Sequence, residues 1–417
     1  MGSPLFTAKD LRAIEAEAQA SLAPGELMQR AGRAAAHAVI DLAQQVLGKS
    51  EGLSVGIVCG PGNNGGDGYV AACELRDSGH RVVCVRVGHE PPTAADAAQA
   101  FARWSESGGQ TLKALPDRAS FDVVVDAMFG IGLRRPLSGD SLAATHWINR
   151  QPLVCAIDVP SGLDADCGAW VGGVAGVCAD ATITMIADKP GLHTADGVDA
   201  AGSVQVASLG LALPDSAGSL ITPTDFGAVI APRRRNSHKG LFGTLAVVGG
   251  SESMVGAALL AARAALRFGA GRVFVELLGN PGLHFDPVQP ELMMRSAGSI
   301  EELDAIVIGC GLGVDDRAHA ALSHALERTV PLVIDADALA LIAADRGFGE
   351  RVRSREDKST LTPHPLEAAR LLGSTSSAVQ GDRISAALEL ARRTSSIVVL
   401  KGAGTVIADT DGRYAIN

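Results

Sequence analysis

The chain has 417 residues, 47% of them hydrophobic and only 4% aromatic, with a formal net charge of -10 and a sequence pI near 5.5. That much apolar material suits two domains, its alanine and glycine favour helices packed on sheets, and the acidic field argues against nucleic acid and anionic membrane as partners. The seven cysteines lack zinc-type pairing, the N-terminus lacks a basic segment leading into an apolar core, and no apolar run approaches membrane-spanning length; a soluble cytoplasmic protein with buried, reduced thiols is expected.

From Thr7 to Leu47 apolar positions recur at helical spacing, interrupted by Ala23, Pro24 and Gly25. This predicts two helices joined by a turn, with Thr7 capping the first. Short β-rich runs then alternate with alanine-rich amphipathic stretches, placing strands near 53–58, 81–87, 121–126, 153–158, 181–186 and 203–207. Most gaps suit a crossover helix, so this half reads as a parallel sheet covered on both faces.

Residues 211–235 break the rhythm with Pro214, Pro223 and Pro232 and with the run Arg233, Arg234, Arg235. The boundary is placed there, giving a first domain over 1–213, a linker over 214–228 and a second domain over 229–417. The pattern restarts with strands at 244–248, 272–277, 305–308, 332–334, 397–400 and 405–408 and a helix at 254–268, a second α/β sheet. The run 412–417 is strand-like and no helix follows it, so this domain is expected to be cut short.

In open α/β sheets ligands bind beyond the carboxyl ends of the strands, and three such ends in the first half carry polar residues. The first, Gly60 to Gly68, holds five glycines with Asn63, Asn64 and Asp67. Its spacing is neither the dinucleotide fingerprint nor a Walker loop, and it has no lysine. Backbone amides there could approach an anion, with a helix expected to start near Gly66; a strained strand-to-helix turn is the bland alternative. The second end is Asp126 with Gly130, Ile131, Gly132, Leu133, Arg134, Arg135 and Pro136, and the third is Asp158 with Ser161 and Asp164. Each aspartate alone could be a structural cap. Together they supply carboxylate, amide and hydroxyl oxygens suited to a hard cation, and no His/Cys cluster points to a transition metal.

These three motifs, in this order, resemble the NAD(P)H-hydrate epimerase domain across roughly residues 8–210. The resemblance implies a Rossmann-like three-layer fold and a substrate, NADHX or NADPHX, in which water has added across a nicotinamide ring double bond. The R and S forms would be interconverted at the hydrated carbon. It places Asn63, Asn64, Gly65, Gly66 and Asp67, Gly130 to Pro136, and Asp158 around the substrate, with potassium on Asn64, Asp126 and Ser161. Such epimerisation needs proton movement and stabilisation of a cationic or ring-opened intermediate. Asp158 is the first candidate for the catalytic carboxylate and Asp67 the second. Arg134 or Arg135 could face the diphosphate. Lys189 falls where the family also has a lysine, although a solvent-facing lysine reads equally well.

The second half carries Gly249 and Gly250 at a strand end, then Gly309 to Gly313, Asp335 with Asp337, Thr362 to Pro365, and Lys401 to Thr405. This order resembles the ADP/ATP-dependent NAD(P)H-hydrate dehydratase, a ribokinase-like fold, across residues 229–417. The resemblance implies that Ala257, Gly313 and His364 contact the hydrated nucleotide. Lys401, Gly402, Ala403, Gly404 and Thr405 would hold ADP or ATP, with Mg2+ as a further ion. Dehydration would restore NAD(P)H and release AMP and phosphate. The family continues into a glycine-rich stretch ending Gly-x-Gly-Asp, which these 417 residues do not contain, so dehydratase turnover is expected to be missing. The expectation is a bifunctional isomerase and lyase for metabolite repair, acting as a homo-oligomer. A ribokinase-like small-molecule kinase for the second half, or a non-catalytic nucleotide-binding protein, is the alternative.

Overall fold

Val55 to Cys59, Val123 to Ala127 and Val154 to Ile157 are apolar runs with almost no polar alternation, the composition of strands buried on both faces of a parallel sheet. In the computed structural model, which describes residues 2–88, 90–116, 120–279 and 282–417, they are the central strands of the first unit. That unit spans Gly2–Leu220. Its elements are β1 (Ser3–Leu5), α1 (Ala8–Gln19), α2 (Glu26–Leu47), β2 (Ser54–Cys59), α3 (Asn63–Asp77), β3 (Arg81–Arg86), α4 (Ala95–Glu106) and β4 (Gln110–Leu112). Then come β5 (Val123–Ala127), α5 (Gly139–Ile148), β6 (Val154–Ile157), β7 (Ala181–Met185), α6 (Gly197–Ala200), β8 (Ser203–Ala207) and β9 (Gly218–Leu220).

Seven strands form one parallel sheet in the order β4-β3-β2-β5-β6-β7-β8, the doubly wound order expected of a Rossmann-like fold with one strand added. Thr7 caps α1 through a reciprocal pair with Asp10, whose backbone N–H donates to Thr7 Oγ1 at 3.3 Å. α2 buries Met28, Ala31, Ala35, Val39 and Leu42 and packs on α3 closely enough that a Cβ at Gly32 would lie 2.4 Å from Val70 Cβ. The core on this face also takes in Tyr69, Leu75 and Trp104. β1 and β9 pair antiparallel, and β9 lies within the span read as linker. Of the cysteines, Cys59, Cys73, Cys84 and Cys155 are buried, but Cys167 and Cys310 are half-buried and Cys178 is exposed, because these three sit in loops or at a strand end rather than in strand interiors.

The second unit spans Ile221–Ala415. It contains β10 (Thr244–Gly249), α7 (Val255–Phe268), β11 (Arg272–Leu277), β12 (Met293–Met294), β13 (Ala305–Ile308), α8 (Asp316–Glu327), β14 (Leu332–Ile334), α9 (Ala336–Ala344) and α10 (Arg346–Arg353). β15 (Ser359–Leu361), α11 (Pro365–Leu372), α12 (Ser376–Gly381), α13 (Arg383–Thr394), β16 (Ile397–Leu400), β17 (Val406–Ala408) and β18 (Tyr414–Ile416) follow. Its strands run in the order β18-β17-β16-β15-β14-β13-β10-β11-β12, with β16 to β12 parallel and β17 antiparallel to β16. Among the described residues no helix is long and apolar enough to cross a membrane.

Candidate active site

The chain leaves β2 toward β3 and β4 on one side and returns to β5 on the other, so the carboxyl ends of β2 and β5 splay apart into a crevice. A cavity of ≈ 670 Å³ occupies it. Asn63, Asn64, Asp67, Gly130 to Pro136 and Asp158 all line it. Arg134 and Arg135 are exposed at its rim.

The glycine-rich loop differs from expectation in two respects. α3 starts at Asn63, three residues before Gly66, with Gly62 as N-cap and no side chain closing the first turn. Gly65 and Gly66 do not line the cavity. A Cβ at Gly65 would fall 2.0 Å from the carbonyl oxygen of Gly60, and one at Gly66 would strike the Met28 side chain at 2.6 Å. These glycines let the loop fold against itself and let α2 approach. Their part in the site is close packing beneath it.

Asp158 ends β6 with φ 70, a left-handed conformation that a non-glycine residue adopts at a cost of about 1–3 kcal/mol. Its Oδ2 accepts from the Ile131 backbone N–H at 3.1 Å, and its Oδ1 lies 2.9 Å from Lys189 Nζ. Lys189 is completely buried, which overturns the solvent-facing reading. Its ammonium also donates to Thr184 Oγ1 at 2.5 Å, to the Met185 carbonyl at 3.1 Å and to the Ala187 carbonyl at 3.3 Å. Gly130 completes the fit, because a Cβ there would lie 2.3 Å from Asp158 Oδ2.

Asp67 projects from the second turn of α3 into the same cavity. Burial raises its carboxyl well above the ordinary range, and the nearby charges of Asp158 and Glu15 raise it further. Glu15 is raised for the same first reason, burial, with Asp158 adding and Arg12 opposing. Two carboxyls biased toward the protonated form thus face a third held by an ammonium, an arrangement able to give and accept protons at one substrate carbon.

Behind this wall Asp126 and Ser161 are fully buried. Asp126 accepts from Ser161 Oγ and Ser161 N–H at 2.7 Å each and from Met128 N–H at 3.1 Å. Burial pushes its carboxyl up to about 6 despite those three hydrogen bonds. Ser161 Oγ also accepts from Phe129 N–H at 2.9 Å, so both residues meet the Met128–Phe129 backbone that leads into Gly130. Asn64 approaches that segment from the other side, its Oδ1 lying 3.4 Å from where a Cβ of Gly130 would stand. Both polar atoms of the Asn64 amide are buried without a hydrogen-bond partner. An orphaned buried amide next to Gly130, with a buried carboxylate and hydroxyl on the residues just before it, is a donor set whose chemistry suits a monovalent cation.

Sequence reading missed the opposite wall. α1 supplies Leu11, Arg12 and Glu15, α2 supplies Met28 and Ala31, and Arg12 donates to the Ile131 carbonyl at 2.9 Å. Their only sequence signal is the polar stripe of an amphipathic helix, which does not say what it faces.

In the second unit the expected residues lie along the carboxyl edge of the sheet. Ala257 sits in the first turn of α7, and a Cβ at Gly311 would meet its Cβ at 3.2 Å. Gly313, with φ 80, donates its N–H to Asp337 Oδ2 at 2.9 Å. Two strands along, His364 caps α11: its Nδ1 accepts from the Leu366 and Glu367 N–H groups at 3.1 and 3.4 Å. Lys401 pairs with Asp335 at 2.7 Å, Gly402 has φ 148, Ala403 follows it, and Thr405 Oγ1 donates to the Gly402 carbonyl at 3.1 Å, which leaves Gly404 inside a closed turn. A cavity of ≈ 50 Å³ in this unit, lined by Glu276, Ser296 and His324 among others, includes none of these residues.

Two family models match the chain: "YjeF-related protein N-terminus" over residues 24–191 and "NAD(P)H-hydrate dehydratase" over residues 245–417. The bifunctional NAD(P)H-hydrate repair enzyme Nnr of Escherichia coli (strain K12) is 38% identical over 367 residues, which cover 84% of this chain and 69% of that protein. The protein of the same name from Coxiella burnetii is 36% identical over 431 residues, covering 99% and 84%. Among solved structures, the ADP/ATP-dependent NAD(P)H-hydrate dehydratase from Bacillus subtilis, co-crystallised with ATP/Mg2+, aligns at 33% identity with a TM-score of 0.41, over 48% of this chain and 72% of that one.

Proposed function

Because this chain belongs to the bifunctional NAD(P)H-hydrate repair enzyme family, we propose that its first unit epimerises the R and S hydrates of NADH and NADPH and that its second, together with the Gly-x-Gly-Asp stretch that the resemblance calls for, dehydrates the S form using ADP or ATP. The observation that carries the first half is the carboxyl group of Asp67, biased toward its protonated form, facing the clamped carboxylate of Asp158 across one cavity. The hydrated carbon bears a hydroxyl and the ring nitrogen. Asp67 supplies the proton on which the hydroxyl leaves as water, while the nitrogen lone pair forms the C=N bond. Asp158 stabilises the positive charge so created. Water re-adds to the other face and surrenders a proton to the carboxyl pair, so bonds, protons and electrons balance. Arg134 and Arg135 at the rim fit the diphosphate, and Arg12 fixes the loop that carries them.

Potassium is proposed at Asn64, Asp126 and Ser161, supported by the unpartnered Asn64 amide. Bound there, the ion would offset the buried charge of Asp126 and draw Asn64 toward the Gly130 loop. In the second unit Ala257, Gly313 and His364 are proposed to face the hydrate and Lys401 to Thr405 the nucleotide, a reading supported by their shared sheet edge. Transferring a phosphoryl group from the nucleotide to the hydroxyl, expelling it as phosphate and losing the proton of the adjacent ring carbon to a base would restore the ring double bond and leave the nucleotide one phosphate shorter. Magnesium would come on the nucleotide's phosphates, since this ion keeps several waters and is commonly held through phosphates with one or two carboxylates. The proposal includes a cytoplasmic homo-oligomer.

Purified R-NADHX, followed by chromatographic separation of the epimers, tests the first activity. The wild-type chain should equilibrate R and S, and Asp158→Asn should slow this by orders of magnitude. An Asn variant as fast as wild type would remove Asp158 from the mechanism.

A further inference from the structure

The geometry points to Lys189 as a positioning residue: we propose that its ammonium fixes the orientation and charge of the Asp158 carboxylate for the epimerisation proposed above, on which this inference rests. A lysine is almost never fully buried unless its charge is matched. Lys189 reaches back from the turn after β7 and offers three N–H donors to four oxygens, those of Thr184, Met185, Ala187 and Asp158. Three of those acceptors belong to the end of β7 and its turn, and the fourth belongs to the end of β6. The side chain therefore staples two neighbouring strand ends.

Both ends are strained. Asp158 has φ 70 and Ile186, in the turn that Lys189 holds, has φ 69. Such conformations persist only where surrounding contacts over-determine them. With Oδ1 on Lys189 and Oδ2 on the Ile131 N–H, the Asp158 carboxylate cannot rotate without breaking one bond or the other.

Charge gives the same answer as geometry. Asp67 from α3 and Glu15 from α1 face Asp158, Asp96 adds negative charge near Glu15, and the exposed Arg12 opposes it, with Arg134 and Arg135 farther out at the rim. On the turn of Lys189 itself, Asp188 accepts from the Lys189 backbone N–H at 2.8 Å and pairs with His193 at 2.8 Å, so it is already engaged. Lys189 is thus the one buried cation touching Asp158 among the described residues. Without it the Asp158 carboxylate would stand beside Asp67 and Glu15 with no buried counter-charge among the described residues.

A role limited to stapling strands would lower stability and leave the pH dependence of turnover where it was. The proposed role moves it. Lys189→Met should lower kcat/KM for R-NADHX epimerisation roughly 100-fold near neutral pH, chiefly through kcat. The acidic limb of its pH profile should rise by about one unit or more, with activity recovering at higher pH. In an Asp158→Asn background the same change should cost almost nothing further. Thr184→Val, which removes one ammonium acceptor and keeps the lysine, should shift the limb in the same direction by less, and it decides the matter if Lys189→Met does not fold. An unshifted limb in the folded variants, or an equal loss in the Asp158→Asn background, overturns the assignment. A wild-type chain that fails to equilibrate the epimers instead defeats the functional reading, and the inference with it.

Discussion

Replacing Gly130 by alanine isolates the fit between the Gly130 loop and Asp158. The added Cβ would stand 2.3 Å from Asp158 Oδ2 and 3.4 Å from Asn64 Oδ1. Ordinary contact requires the carboxylate to retreat by about 1 Å, since packing at that range is otherwise repulsive. An unconstrained side chain would swing away at little cost. Here Oδ1 is tied to Lys189 at 2.9 Å and Oδ2 to the Ile131 N–H at 3.1 Å, so the movement must break a hydrogen bond or shift the loop. A misplacement of roughly 1 Å at a reacting group costs on the order of 100-fold in rate, or about 2.7 kcal/mol of transition-state stabilisation. Gly130 is half-buried and does not use a left-handed φ, so the methyl group adds no backbone strain of that kind and its cost to folding is that of overpacking, about 1–3 kcal/mol. The assay is epimerisation of R-NADHX beside thermal unfolding. A modest fall in melting temperature with a loss of about 100-fold in kcat/KM is expected. A variant within about threefold of wild type would show that Asp158 need not occupy this position, and the steric argument would fall.

Two further predictions concern charge. The Asp67 carboxyl is raised by burial first and by Asp158 and Glu15 second, so what it contributes to stability is fully present below its unfolded value of 3.8 and is lost as pH rises through the folded value. Asp67→Asn, which cannot ionise, should therefore unfold at a higher temperature than wild type at pH 8, with the gap closing toward pH 4, and should lose most epimerase activity. Identical melting curves across that range would contradict the buried-carboxyl account. For the cation, exchanging potassium for tetramethylammonium at constant ionic strength should lower both activity and melting temperature in the wild type but not in Asn64→Ala. Equal behaviour of wild type in the two salts would count against the site.

How much could be read beforehand follows from what kind of contact each feature depends on. The central strands of the first sheet were legible because runs such as Val123 to Ala127 are apolar on both faces, a local property. β4 and β15 were not, being three residues each and held by neighbours supplied from elsewhere in the chain. The start of α3 was misplaced because Asn63 and Asn64 resemble loop residues and Gly62 caps without a side chain. Lys189 illustrates the limit most clearly. Followed by Pro190 and Gly191 it looks like a solvated turn, and only the strained ends of β6 and β7 make room for it underneath. Glu15 and Arg12 line the cavity from α1, a helix far in sequence from the strand ends they face, so no local pattern marks them.

The glycine-rich loop without a lysine acquires a physical reason from this arrangement. A phosphate-binding loop keeps its glycines so that backbone amides can surround an anion, and a lysine beside them completes the charge. Here Gly60 and Gly65 are spent on each other and on the Met128 carbonyl, since a Cβ at Gly60 would lie 1.9 Å from that oxygen. Pro61, Gly62, Asn63, Asn64 and Asp67 line the cavity from this loop, and the buried cation comes from the turn after β7 as Lys189. In the proposed reaction the Asp158 carboxylate stabilises the ring carbon as it passes through positive charge, and the rim arginines take the diphosphate.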